Sequence, residues 1–359
     1  MTAPLASGAT IGIVGGGQLG RMLAMAAARL GYRTVVLEPQ ADCPAAQVAN
    51  SQIVAPYDDA DALAELADAS AVVTYEFENV PVAAAEALAA SVPVFPPPRA
   101  LEVSQDRLTE KTAINAMGIG TARFLAVDSD ADLDAALAAF DDEGVLKTRR
   151  LGYDGKGQRV FRREAPAATQ GVFAAMGSVP LILEALVPFE REISVIAARG
   201  RDGAVRVYDP AENVHRHGIL HTSTVPAAAA PETLAAARDA AAAILAGLDY
   251  VGVIGVEFFV PDDGRVLVNE IAPRVHNSGH WTEAACAVSQ FEQHIRAITG
   301  QILGDPARHS DCEMQNLIGD DIARVPQLLA EKDVVVHLYG KAEARPGRKM
   351  GHFTRLKAR

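Results

Sequence analysis

An α/β unit, then an α+β unit, then a small C-terminal unit is the architecture expected of this 359-residue chain, on three observations. Residues 10–95 alternate short apolar runs with helical stretches, the pattern of parallel strands joined by helices. Further on, the turns Arg201-Asp202-Gly203 and Asp263-Gly264 join strands directly, which implies antiparallel pairing. The chain also exceeds the roughly 250–300 residues at which a single core stops growing.

The first unit reads TIGIV as a strand, GRMLAMAAARLGY as a helix, TVVLE as a strand, Asp58–Ala69 as a helix, AVVTYE as a strand, Pro81–Ser91 as a helix and VPVF as a last strand. Pro96 to Pro98 can continue neither a helix nor a strand, so residues 1–98 are taken as the first domain. The second, 99–298, opens on the helix DRLTEKTAINAMG, with Asp106 as its N-cap and Gly118 as its terminating glycine. The strand FLAV follows, then an Asp-rich helix to Phe140, the strand VLK, a Gly-rich loop, the strand RVF, another helix, and the strands LILE and EISVIAARG. Alanine runs near 227–246 form a helix, because Leu234, Arg238, Ala241 and Leu245 keep helical spacing. Residues 299–359 read as a third unit, with strands at Gln315–Ile318 and Val334–Tyr339 around a helix and a basic end.

Composition excludes several classes. At 49% hydrophobic and 22% charged residues, the chain can bury a normal core and is not disordered. A net charge of −12 argues against a general nucleic-acid or anionic-membrane binder and leaves room for a local basic pocket. Cys43, Cys286 and Cys312 are scattered and odd in number, without the spacing of a zinc site or a disulfide framework, which suits a reducing cytosol. The N-terminus lacks a basic n-region, and Arg21 and Arg29 interrupt the apolar run after it, so no signal peptide is expected. No stretch reaches the ~18 uncharged apolar residues of a membrane span. A soluble, cytoplasmic protein is expected.

Gly15, Gly17 and Gly20 spell G-x-G-x-x-G between a strand and a helix, and Glu38 ends the next strand. The glycines admit an anion to the helix N-terminus, as in dinucleotide sites. The motif does not name the anion: NAD, FAD or another phosphorylated ligand fits it, and a bare turn remains an option. A second loop, Gly152-Tyr153-Asp154-Gly155-Lys156-Gly157-Gln158, lies between the strand ending in Lys147 and the strand RVF. Such a flap can lay backbone N–H groups and Lys156 over a polyphosphate while Lys147 supplies a fixed charge. A solvated surface hairpin is its plain alternative.

VGVIGVEFFVPDDGRVLVNEIAPR reads as two strands around a two-residue type I′ turn at Asp263-Gly264. With Asp262 facing Arg265, Glu257 falls opposite Glu270 on one sheet face. Two facing carboxylates in an apolar strand need a partner, and oxygen-only ligation is the preference of Mg²⁺.

Taken together, GIVGGGQLGRML, TYEFENVP, DRLTEK, GYDGKGQ, LILEALV, VEFF, LVNEIAPRVHNSGHW and RPGRKMGH resemble the ATP-grasp superfamily. Within it, the chain resembles the 5-(carboxyamino)imidazole ribonucleotide synthases, purine-pathway enzymes that carboxylate 5-aminoimidazole ribonucleotide with ATP and bicarbonate. The resemblance implies an ATP-grasp fold: a Rossmann-like N-terminal domain, a two-sheet clamp on ATP and a small C-terminal domain. It further implies an ADP-forming carbon–nitrogen ligase that uses Mg²⁺ and acts as a homodimer. Arg107 and Lys147 would then contact the ATP phosphates under a flap of Gly152, Tyr153, Asp154, Gly155, Lys156, Gly157 and Gln158. Glu184, Ala185, Leu186 and Val187 would receive adenine, Glu192 the ribose, and His215 would lie beside the nucleotide. Glu257 and Glu270 match the magnesium carboxylates, with Asn269 beside them, whereas the Asn common two positions after the second Glu is here Ala272. The ribonucleotide would meet Gln18, Leu19, Glu76, Tyr153 and Asp154, and its phosphate Arg345, Arg348 and Lys349. Arg274, His276 and Asn277 would orient bicarbonate, and Asp154 would take the proton of the amine.

Three other readings compete, one of them a nucleotide-binding regulatory module without chemistry, which would not need the Glu257/Glu270 pair. An ATP-grasp formyltransferase acting on glycinamide ribonucleotide shares the architecture, but GYDGKGQ and HNSGHW favour the carboxylating enzyme. An NAD-dependent oxidoreductase built on residues 10–95 has no need of the Glu257/Glu270 pair. Of the histidines, His276 and His280 follow the metal strand in a Gly/Asn/Ser loop where a core role is not expected, whereas His294 on its amphipathic helix reads as structural.

Overall fold

The computed structural model describes residues 3–152, 157–165 and 167–357. In the first unit β1 (Thr10–Val14), α1 (Gln18–Arg29), β2 (Arg33–Leu37), β3 (Ser51–Ile53), α2 (Ala60–Ala69), β4 (Val72–Tyr75) and α3 (Val82–Ala89) follow one another. The strands are parallel, in the order β3-β2-β1-β4. Alternate side chains enter different cores: Ile11, Ile13 and Val36 pack with α1, while Val35, Leu37 and Val73 pack with α2 and α3. A parallel sheet buried on both faces explains the unbroken apolar runs.

Three details differ from expectation. VPVF makes only a single bridge, Val94 to Val73, because Pro93 and Pro96 cannot donate to a ladder. The three-residue β3 is too short, with only Ile53 fully buried, to leave a readable pattern. A helix α4 (Pro98–Ser104) precedes the expected one, and its first position holds Pro98, where a missing N–H costs nothing. The expected helix is α5 (Arg107–Ala116), and Asp106 caps it, accepting from the Leu108 and Thr109 amides at 3.0 and 3.2 Å. Gly118 follows it with φ +79°.

β5 (Phe124–Val127), α6 (Asp130–Ala139), β6 (Gly144–Thr148), β7 (Gln158–Phe161), α7 (Val172–Ala175) and β8 (Leu181–Glu184) build a small antiparallel sheet, β5-β8-β6-β7. Lys147 faces Gln158 across the β6–β7 ladder, so the second glycine loop joins the two arms of a hairpin. Beyond it lie β9 (Arg191–Arg199), β10 (Val205–Val207), β11 (Ala211–Arg216), β12 (Ile219–Val225), α8 (Pro231–Gly247), β13 (Gly252–Val260), β14 (Leu267–Ala272), α9 (Thr282–Ala285), α10 (Gln290–Thr299), β15 (Asp311–Ile318), α11 (Val325–Leu328), β16 (Val334–Leu338) and β17 (Lys349–Lys357). These strands form one large sheet, β14-β13-β9-β11-β12-β15-β17-β16, with β10 on β9. The C-terminal strands therefore extend the sheet of the second unit, through β12 and β15, where Ser223 faces Met314. The face α8 buries is Thr233, Ala237, Ala241, Ile244 and Leu245, rotated from the expected stripe so that Leu234 and Arg238 flank it. A core through Met22 of α1, Phe291 of α10 and Met314 of β15 ties the first unit to the last. Among the described residues, no helix is long and apolar enough to cross a membrane.

Candidate active site

Glu257 and Glu270 face each other across β13 and β14, but not by the expected turn. Gly264, at φ +74°, donates its amide to the Pro261 carbonyl at 3.0 Å, so the loop is one residue longer than the two-residue type I′ form. Near the turn Phe258 pairs with Val268 and Phe259 with Leu267; a bulge at Asn269 absorbs the extra residue and restores the Glu257–Glu270 pairing. Two differences cancel, and the bulge leaves Asn269 and Glu270 both lining the cavity. Burial and the facing Glu270 push the Glu257 carboxyl up to about 7. The Asn269 Oδ1 is buried with no hydrogen-bond partner among the described residues. Two facing carboxylates and an orphaned amide oxygen are the hard, oxygen-only donors that suit Mg²⁺.

That hairpin forms one wall of a cavity of about 640 Å³, within the usual range for ligand pockets. The opposite wall carries cations. Arg107 donates to Glu270 Oε2 at 3.2 Å and to the Gly152 carbonyl at 3.3 Å. Lys147 donates to Glu184 Oε2 at 2.9 Å, and Lys111, only 1% exposed, reaches the same oxygen at 3.4 Å and the Asn269 carbonyl at 2.9 Å. Burial would raise the Glu184 acid, but Lys147 and Lys111 hold it below its ordinary value; burial lowers Lys147 despite Glu184. Among the described residues the buried Glu184 Oε1 has no hydrogen-bond partner, and Glu184 lines the cavity. Ala185, Leu186 and Val187 line the apolar end, where Phe189 and Phe259 stack with centroids 4.6 Å apart. Glu192 bonds His215 Nδ1 at 2.6 Å; burial draws the imidazole down, but Glu192 together with the charges of Glu257 and Glu270 outweighs it and raises the pKa. Gly157 and Gln158 line the cavity beside Gly152. Tyr153, Asp154, Gly155 and Lys156 lie outside the described residues.

The first glycine loop is occupied by the protein itself. Glu76 accepts from the Gly17 amide and, at 2.6 Å, from the Gly20 amide, while Glu38 accepts from Gly16 at 2.9 Å. A Cβ on Gly17 would lie 2.6 Å from Glu76 Oε1, so the glycine makes room for this carboxylate. Gln18, Leu19 and Glu76 nonetheless face the cavity. Glu78, two residues on, pairs with Arg274, and that guanidinium, outweighing burial, holds the Glu78 acid down at about 2. The pair links the first unit to the loop after β14.

His276 bonds Ser278 Oγ at 2.8 Å through Nδ1, and burial followed by Arg274 and Lys349 lowers it to about 3, so it enters the cavity neutral. Asn277 exchanges amide hydrogen bonds with Asn316, at 3.0 and 2.7 Å. Lys349, at the start of β17, lines the cavity; Arg345 and Arg348 do not. Arg345 instead pairs with Glu343, and Arg348 donates to the Glu343 carbonyl. His280 departs from expectation: it is 1% exposed in the core, with Phe291, Tyr339 and His352 rings around it. His294 is structural, held by Thr74 and the Val253 amide. Lys111, Glu110 and Glu78 escaped sequence reasoning. A signal existed for two of them: Arg107, Glu110, Lys111 and the apolar Ile114 share one helix face.

Three family patterns match the chain. The pattern of the ATP-grasp domain matches residues 112–291, that of the ribonucleotide synthetase preATP-grasp domain 8–105, and that of the phosphoribosylaminoimidazole carboxylase C-terminal domain 312–359. N5-carboxyaminoimidazole ribonucleotide synthase of Brucella melitensis is 64% identical over 355 residues, covering 99% of this chain and 98% of its own. The crystal structure of an ADP complex of N5-carboxyaminoimidazole ribonucleotide synthetase superposes with a TM-score of 0.96 at 42% identity, covering 100% of this chain and 95% of that one. The Aspergillus clavatus synthase in complex with ADP and 5-aminoimidazole ribonucleotide gives a TM-score of 0.89 at 29% identity, over 98% of this chain and 94% of that one. Identity of this extent along nearly the whole chain places it in a family: the protein belongs to the N5-carboxyaminoimidazole ribonucleotide synthases, within the ATP-grasp enzymes.

Proposed function

We propose that this protein is an ADP-forming ligase that carboxylates the amino group of 5-aminoimidazole ribonucleotide with ATP and bicarbonate, in purine synthesis. The observation that carries the reading is the single cavity in which all three units meet: Gln18 and Glu76 from the first, Lys147, Glu257 and Glu270 from the second, Lys349 from the third. A bicarbonate oxygen attacks the γ-phosphorus, ADP leaves, and carboxyphosphate forms. The amine then attacks the carboxyl carbon directly, or as released CO₂; phosphate departs and the nitrogen loses a proton.

Arg107 and Lys147 hold the polyphosphate, with Lys147 oriented by Glu184. Ala185, Leu186 and Val187 take adenine, and Glu192, braced by His215, takes the ribose hydroxyls. Glu257 and Glu270, with Asn269 beside them, would hold Mg²⁺, which neutralises phosphate charge when bound. Arg274 is fixed by Glu78, so its guanidinium needs no reorganisation to face an anion. His276, neutral, donates or accepts at bicarbonate without adding charge. Gln18, Leu19, Glu76 and Lys349 bind the ribonucleotide, its phosphate at Lys349 with Arg345 and Arg348 from the adjoining turn. Lys156, Tyr153 and Asp154 are assigned to the flap by the sequence resemblance, Asp154 as acceptor of the amine's proton. A division at 98/99 and 298/299, a homodimer and a cytoplasmic setting belong to the same reading.

Bicarbonate labelled with ¹⁸O tests the first step. Attack by a bicarbonate oxygen transfers one label to the phosphate released; unlabelled phosphate would rule out carboxyphosphate.

A further inference from the structure

Outside the cavity, three side chains from three elements converge. His337 of β16 and His352 of β17 face each other directly across an antiparallel ladder, with ring centroids 5.3 Å apart and planes within 6°. Glu283 projects from α9 between them: its Oε2 lies 3.2 Å from His337 Nδ1 and 3.8 Å from His352 Nε2. The three donor atoms all lie within 4.8 Å of one another. Despite these short contacts, among the described residues the buried Glu283 Oε2 makes no hydrogen bond of good geometry, a costly state for a carboxylate oxygen.

We propose that Glu283, His337 and His352 form a binding site for one divalent transition cation of the zinc class, separate from the nucleotide cavity. Two imidazoles and one carboxylate suit zinc, cobalt or nickel, not magnesium. Donors on a tetrahedral ion at 2.0–2.1 Å stand about 3.3 Å apart; the two Glu283 contacts, 3.2 and 3.8 Å, are near this, and the two imidazole nitrogens have at most about 1.5 Å to close. His352 Nδ1 bonds the Tyr339 hydroxyl at 2.9 Å, an outer contact that fixes the ring and turns Nε2 toward Glu283. Burial keeps His352 neutral, the form that ligates. Entry is open, because β16 is an edge strand and the His337 and Glu283 side chains are 16% and 25% exposed. Glu283 follows the loop carrying Arg274, His276 and Asn277, so the ion would pin that loop's exit helix to the C-terminal strands.

The test uses full-length enzyme stripped with EDTA and returned to excess Mg²⁺, which occupies the hard carboxylate pair. Titration with Co²⁺ is expected to give one equivalent bound with the intense visible bands of a four- or five-coordinate nitrogen/oxygen site. Zn²⁺ should displace it and raise the thermal midpoint by several degrees. His337→Gln and Glu283→Gln should each lose the bands and the shift while keeping Mg-ATP turnover; if one fails to fold, the other decides. Weak octahedral bands only, no bound equivalent, or an unchanged signal in the folded variants would overturn the proposal.

Discussion

Glu76 decides what the first glycine loop can bind. Its carboxylate sits on the Gly17 and Gly20 amides, where a dinucleotide would set its pyrophosphate. Titration with NAD or NADP is therefore expected to show no binding; micromolar affinity for either would contradict this reading of the loop. The two lysines proposed to bind phosphates separate in the same way. Lys147 lies beside Glu184 and the clamp, Lys349 at the start of β17. Lys349→Ala should raise KM for the ribonucleotide and leave KM for ATP nearly unchanged. Losing one charge-assisted contact costs about 1.5–3 kcal/mol, or roughly ten- to a hundredfold. Lys147→Ala should instead impair ATP use, most of all in kcat, since the proposed function aims its charge at the transferring phosphates. Steady-state kinetics with each substrate varied in turn distinguishes these outcomes; a loss confined to ATP in both variants would contradict the assignment of Lys349.

α5 is the element that joins the two sheets of the clamp. Lys111 reaches Glu184 at the end of β8 and the Asn269 carbonyl of β14, and Glu110 accepts from the Ile271 amide at 2.6 Å. Lys111→Met leaves a buried carboxylate with one cation fewer and an unpaired carbonyl, so a loss of about 3–5 kcal/mol in unfolding free energy is expected. Urea denaturation measures it, and a loss below 1 kcal/mol would show that Lys147 alone satisfies Glu184. Much of this element was legible in sequence: its cap, its charged residues and its stop all stand in the stretch DRLTEKTAINAMG. Its buried face was not, because three charges at helical spacing read as a solvated surface unless the other sheet is known to lie over them. The β13–β14 hairpin shows another limit. The facing glutamates follow from residue counting, but the turn and the bulge each change that count by one, and only their cancellation preserves the pairing. The continuity of β12 with β15 is illegible for a different reason: 85 residues lie between Val225 and Asp311, and local pattern says nothing about pairing at that range.

Across the whole molecule the first and second units are held partly by a histidine. His294 of α10 accepts from the Val253 amide at Nδ1, so its Nε2–H donates to Thr74 of β4. Protonating Nδ1 would break the first bond inside the core, and burial lowers the pKa from 6.5 to about 3. The folded state thus binds this proton less tightly than the unfolded chain. Its contribution is complete above pH 6.5 and is lost as pH falls from 6.5 toward 3, at up to about 1.4 kcal/mol per unit. Comparing urea midpoints between pH 7 and 4.5 should show His294→Gln less stable than the parent at pH 7 but with a shallower acid decline. Parallel declines would contradict the role.

That shared cavity makes the most direct demand on function, because its three contributions must act in one reaction. Assay of ADP release with ATP, bicarbonate and 5-aminoimidazole ribonucleotide omitted in turn is the decisive measurement. Full-rate release should require all three, with the carboxylated ribonucleotide appearing in step with ADP. Equal release without bicarbonate or without the ribonucleotide would contradict it.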